Sequence, residues 1–310
     1  MSSRQGETTS KSSWKGKTQG GVLGMKIFVF FMKRTGLVPT YIFLRFVSLY
    51  YVFFSPYSSN SMYYYFIKRL GYNPIKAFFM LCGNYFIFGQ TLIDKVAAMA
   101  GFHTQFKLTK DDENFRNTVD KNKGLILMSA HLGNWALSGF MLNDVHTRVN
   151  IFYFDGENEN VKKYMEGVTG ENKANIIFAK DDNSHIFEMA NALSNNEILC
   201  LLGDRFLPGN KTVTCKFLGE DAEFPAGMYH LAAKLEVPIV HVFTVKKSWF
   251  HYHLHSSKIN YYPYPKSPSE RDACVKMMAE DFIASLEKII VKYPKQWFNY
   301  YPFWKVANDR

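Results

Sequence analysis

The pattern of apolar and polar positions divides the chain into two parts. From Thr35 to Ile67 the only charged residue is Arg45, and this stretch contains the apolar run 37–54. From Gly124 onward, short apolar runs alternate with segments whose apolar residues recur at helical spacing. The pattern predicts a helical N-terminal section followed by an α/β section.

Five apolar runs of the second section are predicted as strands: GLILMS, VNIFYF, NIIF, EILCLL and VPIVHVFTV. Helical patterns lie near 133–143, 158–167, 184–194 and 226–235, and a longer amphipathic pattern covers 271–293. Alternation of strands and helices is typical of a sheet covered by helices. We therefore expect an α/β fold with a mixed central sheet flanked by helices, preceded by an N-terminal membrane-associating helical section.

The run 37–54 is nearly long enough to cross a membrane, since a helix rises about 1.5 Å per residue and a hydrocarbon layer is about 30 Å thick. Lysines and Arg34 precede it, which would hold the N-terminus in the cytoplasm if the helix spans. Arg45 opposes a clean span because a charge near mid-membrane costs a few kcal/mol. Three interpretations stay open: a single span, an interfacial or half-buried helix, and an ordinary buried helix.

Composition narrows the function classes. The 310 residues are 47% hydrophobic, which excludes a disordered or collagen-like chain. A net charge of +10 allows nucleic acid, a membrane surface or an acidic protein as partner, and 17% aromatic content favours the membrane surface. The four cysteines form no CxxC pair, so we expect neither a disulfide framework nor a zinc site. The Ser-, Gly- and Lys-rich start has no apolar core, so no cleavable secretion signal is expected.

The best candidate for chemistry follows the predicted strand GLILMS. His131 comes directly after it, and a Gly-Asn turn then opens a helix. Ligands of open α/β sheets bind just beyond the carboxyl ends of strands, and free amide groups at a helix start can stabilise an oxyanion. His131 is therefore a candidate reacting group, while the competing interpretation is a structural hydrogen-bonding histidine.

Two further segments lie at comparable positions. Asp204 and Arg205 follow EILCLL, where the pair either clamps a phosphate or carboxylate group or holds a loop by an ion pair. Pro225 and Gly227 open the helical pattern 226–235, since proline suits a first turn and glycine permits close backbone approach.

Other motifs are weaker. His251, His253 and His255 alternate, so they would share one face of a strand, but no cysteine or carboxylate nearby completes a metal site. The chain contains no GxGxxG, GxxxxGK[ST] or GxSxG motif, which disfavours nucleotide-binding and serine-hydrolase functions.

Taken in order, these segments resemble the lipid A biosynthesis acyltransferase family, the lauroyl/myristoyl-type enzymes of the glycerophosphate acyltransferase-like superfamily. The resemblance rests on WKGKTQGG, the apolar run, Gly83-Asn84-Tyr85, SAHLGNW, GDRF, FLGEDAEFPAG and QWFNYYPFW. It implies a glycerol-3-phosphate acyltransferase-like fold. We divide the chain into a basic flexible N-terminus (1–25), a membrane-anchoring helical segment (26–56) and an acyltransferase domain (57–310), the last with a helical lead-in (57–110) and an α/β catalytic part (111–310).

The family implies transfer of a fatty acyl chain from acyl carrier protein, or acyl-CoA, to a hydroxyl of a lipid A precursor or related glycolipid. It implies a bacterial inner-membrane location at the cytoplasmic face, with no cofactor and no metal. The sequence contains no nucleic-acid-binding motif, so we expect no nucleic-acid partner. His131 would be the general base. The substrate-binding residues would be Asn134, Trp135, Asp204, Arg205, Pro225 and Gly227.

Two alternatives stay open beside this function. One is an acyltransferase with a different acceptor, such as a lysophospholipid, an amino-acid lipid or an aryl polyene. The other is a non-catalytic lipid-binding homologue.

One position departs from the family. Its histidine is followed five residues later by an acid that orients the imidazole, whereas this chain has Ala136. Losing an orienting acid reduces a rate on the order of 10²–10⁴-fold, so an inactive form is one expectation. Three explanations stay open: an engineered inactivating substitution, which we favour, another acid such as Asp144, Asp155 or Asp204, and a natural variant that binds lipid without turnover.

Overall fold

The computed structural model describes residues 21–99, 106–110, 124–135, 137, 147–153, 175–180, 182–206, 209–263 and 265–304. The helices are α1 (Gly21–Thr35), α2 (Leu37–Phe54), α3 (Pro56–Tyr64), a π-helical segment (Tyr65–Arg69), α4 (Pro74–Met99), α5 (Ser184–Ser194), α6 (Gly227–Lys234), α7 (Pro268–Lys292) and a 3-10 turn (Pro294–Gln296). The strands are β1 (Lys107–Lys110), β2 (Leu125–Ser129), β3 (Val149–Tyr153), β4 (Asn175–Phe178), β5 (Ile198–Leu202), β6 (Thr212–Phe217), β7 (Glu220–Pro225), β8 (Ile239–Lys246) and β9 (His251–Ser256).

The central sheet has seven strands in the order β1-β9-β8-β2-β5-β3-β4. Neighbouring strands are parallel except β8 and β9, which pair antiparallel across a short connection. All five predicted strands are present, and the expected mixed sheet with flanking helices is confirmed.

The centre of the sheet is apolar because helices cover it. Every residue of β2 and of β8 is buried, as expected for strands covered on both faces. Helix α7 contributes Phe282 and Leu286 to the main core, and it begins where Ser267 accepts a hydrogen bond from the main-chain nitrogen of Glu270. This cap and Pro268 at the first turn explain why the helix begins a few residues before the predicted start at 271.

Helix α2 has two different faces. Tyr41, Leu44 and Ser48 are buried, and the helix packs against α4. The opposite face exposes aromatic rings, among them Phe46 at 69% and Phe53 at 64%. Leu37–Phe54 is the one helix within the described chain that is long and apolar enough to cross a membrane, with a mean hydropathy of 1.6 and 33% of its residues buried in the protein.

The structure differs from the expected organisation at the start of the described chain, at the end of the helical lead-in and in one hairpin. Helix α1 begins at Gly21, inside the segment 1–25, and residues 107–110 at the end of the helical lead-in form strand β1. The hairpin of β6 and β7 was not among the predicted strands, because those were chosen as continuous apolar runs, whereas β6 alternates apolar and polar residues and β7 is largely polar. The predicted helix 158–167 and most of 133–143 lie outside the described residues.

Candidate active site

The sheet register brings His131 and Asp204 together. Strands β2 and β5 are parallel neighbours, and the last residue of one, Ser129, pairs with the last residue of the other, Leu202. The two side chains each follow two residues later, so they leave the same edge of the sheet side by side. The carboxyl ends of parallel strands therefore place a base and an acid next to each other.

His131 is held by Asp204 through three contacts. Its Nδ1 lies 2.8 Å from Oδ1 of the carboxylate, and its main-chain nitrogen donates to both oxygens at 3.1 and 3.0 Å. Since a carboxylate only accepts hydrogen bonds, Nδ1 carries the proton and Nε2 keeps its lone pair. The imidazole is 21% exposed, whereas the Asp204 side chain is 2% exposed.

Charge and burial set the protonation of this pair. Burial and the nearby positive charge of Arg205 lower the pKa of His131, and together they outweigh the opposing effect of Asp204. Burial by itself would raise the pKa of Asp204, but His131 and Arg205 outweigh it and hold that pKa below its usual value. At neutral pH the pair is thus a neutral imidazole hydrogen-bonded to a carboxylate.

The turn after His131 depends on a glycine. Gly133 has a φ of +62°, and a Cβ there would lie 2.0 Å from the carbonyl oxygen of Thr244. Any other residue would clash with β8, because the turn lies directly against that strand. The next residue, Asn134, donates its main-chain hydrogen bond to the same Thr244 oxygen at 2.7 Å.

The stretch from Gln296 onward completes the site, and sequence reasoning had not assigned it a role there. Trp297 donates from Nε1 to the second oxygen of Asp204 at 3.3 Å. The main-chain nitrogen of Phe298 donates to the carbonyl oxygen of His131 at 2.8 Å, and its carbonyl oxygen accepts from Arg205 at 2.7 Å. The concentration of aromatic residues in QWFNYYPFW is the one signal in the sequence that could have suggested this role.

The Gly-Asn-Tyr motif of α4 holds this stretch in place. Asn84 is fully buried and donates to the carbonyl oxygens of Lys295 and Trp297, each at 3.0 Å, while its own oxygen accepts from Tyr300 at 2.8 Å. Gly83 leaves room for the stem of Lys295, which would lie 2.6 Å from a Cβ. The motif is therefore a support for the site.

The other predicted substrate-binding residues differ in position. Asp204 has both oxygens engaged by protein groups, which favours its structural interpretation over direct contact with a head group. Arg205 is buried with its guanidinium 5.6 Å from the centre of the Tyr301 ring. Trp135 is half-buried near Tyr153 at the end of β3, with ring centres 6.5 Å apart.

Pro225 and Gly227 lie at the boundary of β7 and α6. Gly227 is exposed, and a Cβ there would have no neighbour within 4 Å, so the expected close backbone approach is not present among the described residues. Helix α6 still lies near the site, since the charge of Asp204 acts on its residue Tyr229. The pKa of Tyr229 is well above its usual value, chiefly through burial, and the charge of Asp204 is one of the smaller causes.

Ala136, Asp144 and Asp155 lie outside the described residues. Within the described ranges, no group of three His, Cys, Asp or Glu side chains is arranged to hold a metal ion. His251 and His253 instead contact the hydroxyl of Thr109 on β1, at 3.0 and 2.7 Å.

Chemically, the arrangement is an imidazole whose Nδ1 faces a buried carboxylate. The Nε2 atom of His131 makes no hydrogen bond within the described part of the chain, and the ring is partly open to solvent. It can take a proton from a hydroxyl, and Asp204 can stabilise the imidazolium that forms.

Comparison with known proteins gave two findings. The family model described as bacterial lipid A biosynthesis acyltransferase matches residues 82–306. The crystal structure of the 1-acyl-sn-glycerophosphate (LPA) acyltransferase PlsC from Thermotoga maritima is similar at 14% identity and a TM-score of 0.36, over 86% of this chain and 95% of that one. No curated protein matches the sequence.

Proposed function

Because the chain belongs to the bacterial lipid A biosynthesis acyltransferase family, we propose that it transfers a fatty acyl chain from a thioester to a lipid hydroxyl, with His131 as general base. The observation that carries this proposal is the contact between His131 Nδ1 and Asp204, which leaves Nε2 unprotonated on a ring that is partly exposed.

The proposed reaction begins and ends with a proton transfer that involves His131. Nε2 of His131 removes the proton of the acceptor hydroxyl as its oxygen attacks the thioester carbonyl. The tetrahedral intermediate then breaks its C–S bond, an ester forms, and the imidazolium returns the proton to the leaving thiolate. Arg205 is a nearby cation, but its guanidinium is buried and bonded to Phe298, so we assign it to shaping the site.

We propose that Asp204 supplies the orienting carboxylate that Ala136 lacks. An acid five residues after the histidine is not needed for this role if a neighbouring strand delivers one to the same ring nitrogen. The 2.8 Å contact supports this explanation over the favoured one of an engineered inactivating substitution, and over binding without turnover. The protein is then expected to be active as it stands.

We propose that the acceptor is a lipid A precursor or related glycolipid and the donor acyl carrier protein or acyl-CoA. The test is transfer from dodecanoyl–acyl carrier protein and from dodecanoyl-CoA to a tetra-acylated lipid A precursor in detergent, with a lysophospholipid as the competing acceptor. His131→Ala is expected to lower kcat on the order of 10²–10⁴-fold without unfolding the protein. Full activity of this variant would refute the role of His131, and transfer to the lysophospholipid alone would refute the proposed acceptor.

The role of position 136 has its own test. If Asp204 is the orienting acid, the unmodified chain transfers acyl groups, and Ala136→Glu raises kcat less than about tenfold. If the alanine is an inactivating substitution, Ala136→Glu restores activity on the order of 10²–10⁴-fold from a chain that is almost inert.

We propose that α2 lies at the cytoplasmic surface of the bacterial inner membrane as a half-buried helix. Tyr41 of α2 contacts Asp94 in the protein interior, so the helix is part of the domain on one side. The exposed rings of Phe46, Phe53 and Phe54 would enter the interface on the other side.

The membrane proposal can be tested by the salt dependence of binding to lipid. The one charged residue of α2, Arg45, packs on the Phe86 ring at 4.1 Å, so α2 itself carries little charge. With the net charge of +10, binding to anionic phospholipid vesicles should weaken as salt rises. Binding indifferent to salt would contradict the electrostatic part of the proposal.

A further inference from the structure

A second pair of ionised groups lies outside the proposed mechanism, between α2, α4 and the end of β8. Asp94 of α4 is fully buried, and its carboxylate accepts hydrogen bonds from Lys246, Tyr252 and Tyr41. The Lys246 ammonium also donates to the carbonyl oxygen of Trp249 at 2.8 Å. A buried ion pair contributes little net stability, because desolvation offsets much of the attraction, so its position is the more informative feature.

Asn134 bridges the same two elements that this ion pair joins. Its side chain donates to the carbonyl oxygen of Thr91 on α4 at 3.2 Å, and its main-chain nitrogen donates to Thr244 on β8. Thr91 lies one helical turn before Asp94, and Thr244 lies two residues before Lys246. The ion pair therefore joins α4 and β8 directly beside the point where Asn134 bridges them.

Two more contacts connect the ion pair to the turn after His131. The hydroxyl of Tyr252, which donates to Asp94, lies 3.4 Å from the side-chain nitrogen of Asn134. The Gln296 side chain binds the main-chain nitrogen and oxygen of Lys246, each at 2.8 Å, and the main-chain oxygen of Gln296 accepts from Gly133 at 2.7 Å.

We propose that Asp94 is a positioning residue: through Lys246 and Tyr252 it holds α4 and β8 at the spacing that places Asn134, and with it the turn carrying His131. This inference rests on the proposed function of His131 as the base. A misplacement of about 1 Å at a reacting group can cost on the order of 10²-fold in rate. Loss of the network should therefore lower kcat while leaving the KM of donor and acceptor unchanged.

The experiment is a double-mutant cycle on kcat, with dodecanoyl–acyl carrier protein as donor and the tetra-acylated lipid A precursor as acceptor. Tyr252→Phe keeps the ring and the ion pair and is expected to lower kcat about tenfold. Because the hydroxyl acts through Asn134, adding Tyr252→Phe to Asn134→Ala should change kcat less than about twofold. Asp94→Asn should lower kcat at least as much as Tyr252→Phe, again with KM unchanged.

The matched control is Tyr262→Phe, because Tyr262 is also buried and also donates to a carboxylate, that of Asp281, at 2.8 Å. It should lose stability comparable to Tyr252→Phe and keep kcat within about twofold of the unmodified protein. If Asp94→Asn fails to fold, the Tyr252→Phe cycle decides the question.

Three results would overturn the inference. The first is an unchanged kcat in Tyr252→Phe, and the second is an equal loss of kcat in Tyr252→Phe and Tyr262→Phe. The third is a loss of kcat in Asn134→Ala/Tyr252→Phe that equals the product of the losses in the two single variants. A normal rate for Tyr252→Phe in an enzyme that requires His131 overturns this inference alone. Full activity of His131→Ala, or no transfer by the unmodified chain, overturns the proposed function and this inference with it.

Discussion

Two buried carboxylates, Asp204 and Asp94, are each paired with a basic side chain, and the two pairs are built alike but differ in access. Both carboxylates also accept hydrogen bonds from aromatic side chains: Trp297 at Asp204, and two tyrosines at Asp94. The basic partner is 21% exposed at His131 and 4% exposed at Lys246. Within the described residues, the basic group of the first pair is thus partly open to solvent and that of the second is enclosed.

The two carboxylates also differ in the direction of their pKa shifts. The pKa of Asp204 lies below its usual value, whereas burial raises the pKa of Asp94 in spite of its contact with Lys246. General-base chemistry needs a neutral base beside an ionised carboxylate at working pH, and the shifts at His131 and Asp204 favour both states. The Lys246 pair, enclosed by its tyrosines, is suited to holding elements at a fixed distance.

The largest expected effect on the first pair comes from Asp204→Asn. The neutral amide does not stabilise the imidazolium as a carboxylate does, and its NH2 group can face Nδ1 and favour the wrong tautomer, so kcat should fall on the order of 10²–10⁴-fold. Steady-state transfer assays measure the loss, and circular dichroism verifies the fold. A fall of less than about tenfold would mean that another acid orients His131.

In the second pair, Asp94→Ala should lower the free energy of unfolding in addition to kcat. Removing one partner leaves Lys246 buried without its counter-charge, which costs about 3–5 kcal/mol of unfolding free energy. Chemical denaturation in detergent measures this loss. The double variant Asp94→Ala/Lys246→Met should recover most of it, and a single variant as stable as the unmodified protein would contradict the buried ion pair.

The pH dependence of the rate tests the protonation state of His131 in the first pair. His131 must be neutral to accept a proton, and its pKa is lowered, so kcat/KM should be constant at neutral pH and fall only below the ordinary histidine value of about 6.5. The decline should approach tenfold per pH unit. A midpoint above that value would contradict the lowered pKa.

The smallest effect expected is that of Trp297→Phe, which removes one hydrogen bond to Asp204. A single such bond contributes about 1 kcal/mol, so kcat should fall roughly fivefold. Trp304→Phe is the matched control, since Trp304 packs in the same aromatic cluster and donates instead to the carbonyl oxygen of Phe217 at 3.1 Å. Both variants should have a lower free energy of unfolding, and only Trp297→Phe should have a lower kcat.

Strand and helix positions were largely predictable because apolar periodicity reports burial directly. The runs around β2 and β5 also identified His131 and Asp204, since each follows the end of a buried strand. Their contact was not predictable, because the two residues are 73 positions apart in the chain and meet only if β2 and β5 are neighbours in the sheet.

The supporting residues were less predictable for a related reason. Asp94 is an isolated acid in the mostly apolar helix α4, and Lys246 ends the apolar strand β8, so each is unusual in its own segment. Nothing local indicates that they meet, or that Trp297 reaches Asp204, because these contacts join segments far apart in sequence.

Local sequence was sufficient for the order of most helices and strands, for the apolar character of α2 and for the two residues of the candidate dyad, because burial and strand ends leave local patterns. Which acid lies against His131 depended on the tertiary structure. Strand order is set by how the whole sheet packs, and the parallel register of β2 and β5 brings Asp204 to the imidazole of a chain that has alanine at position 136.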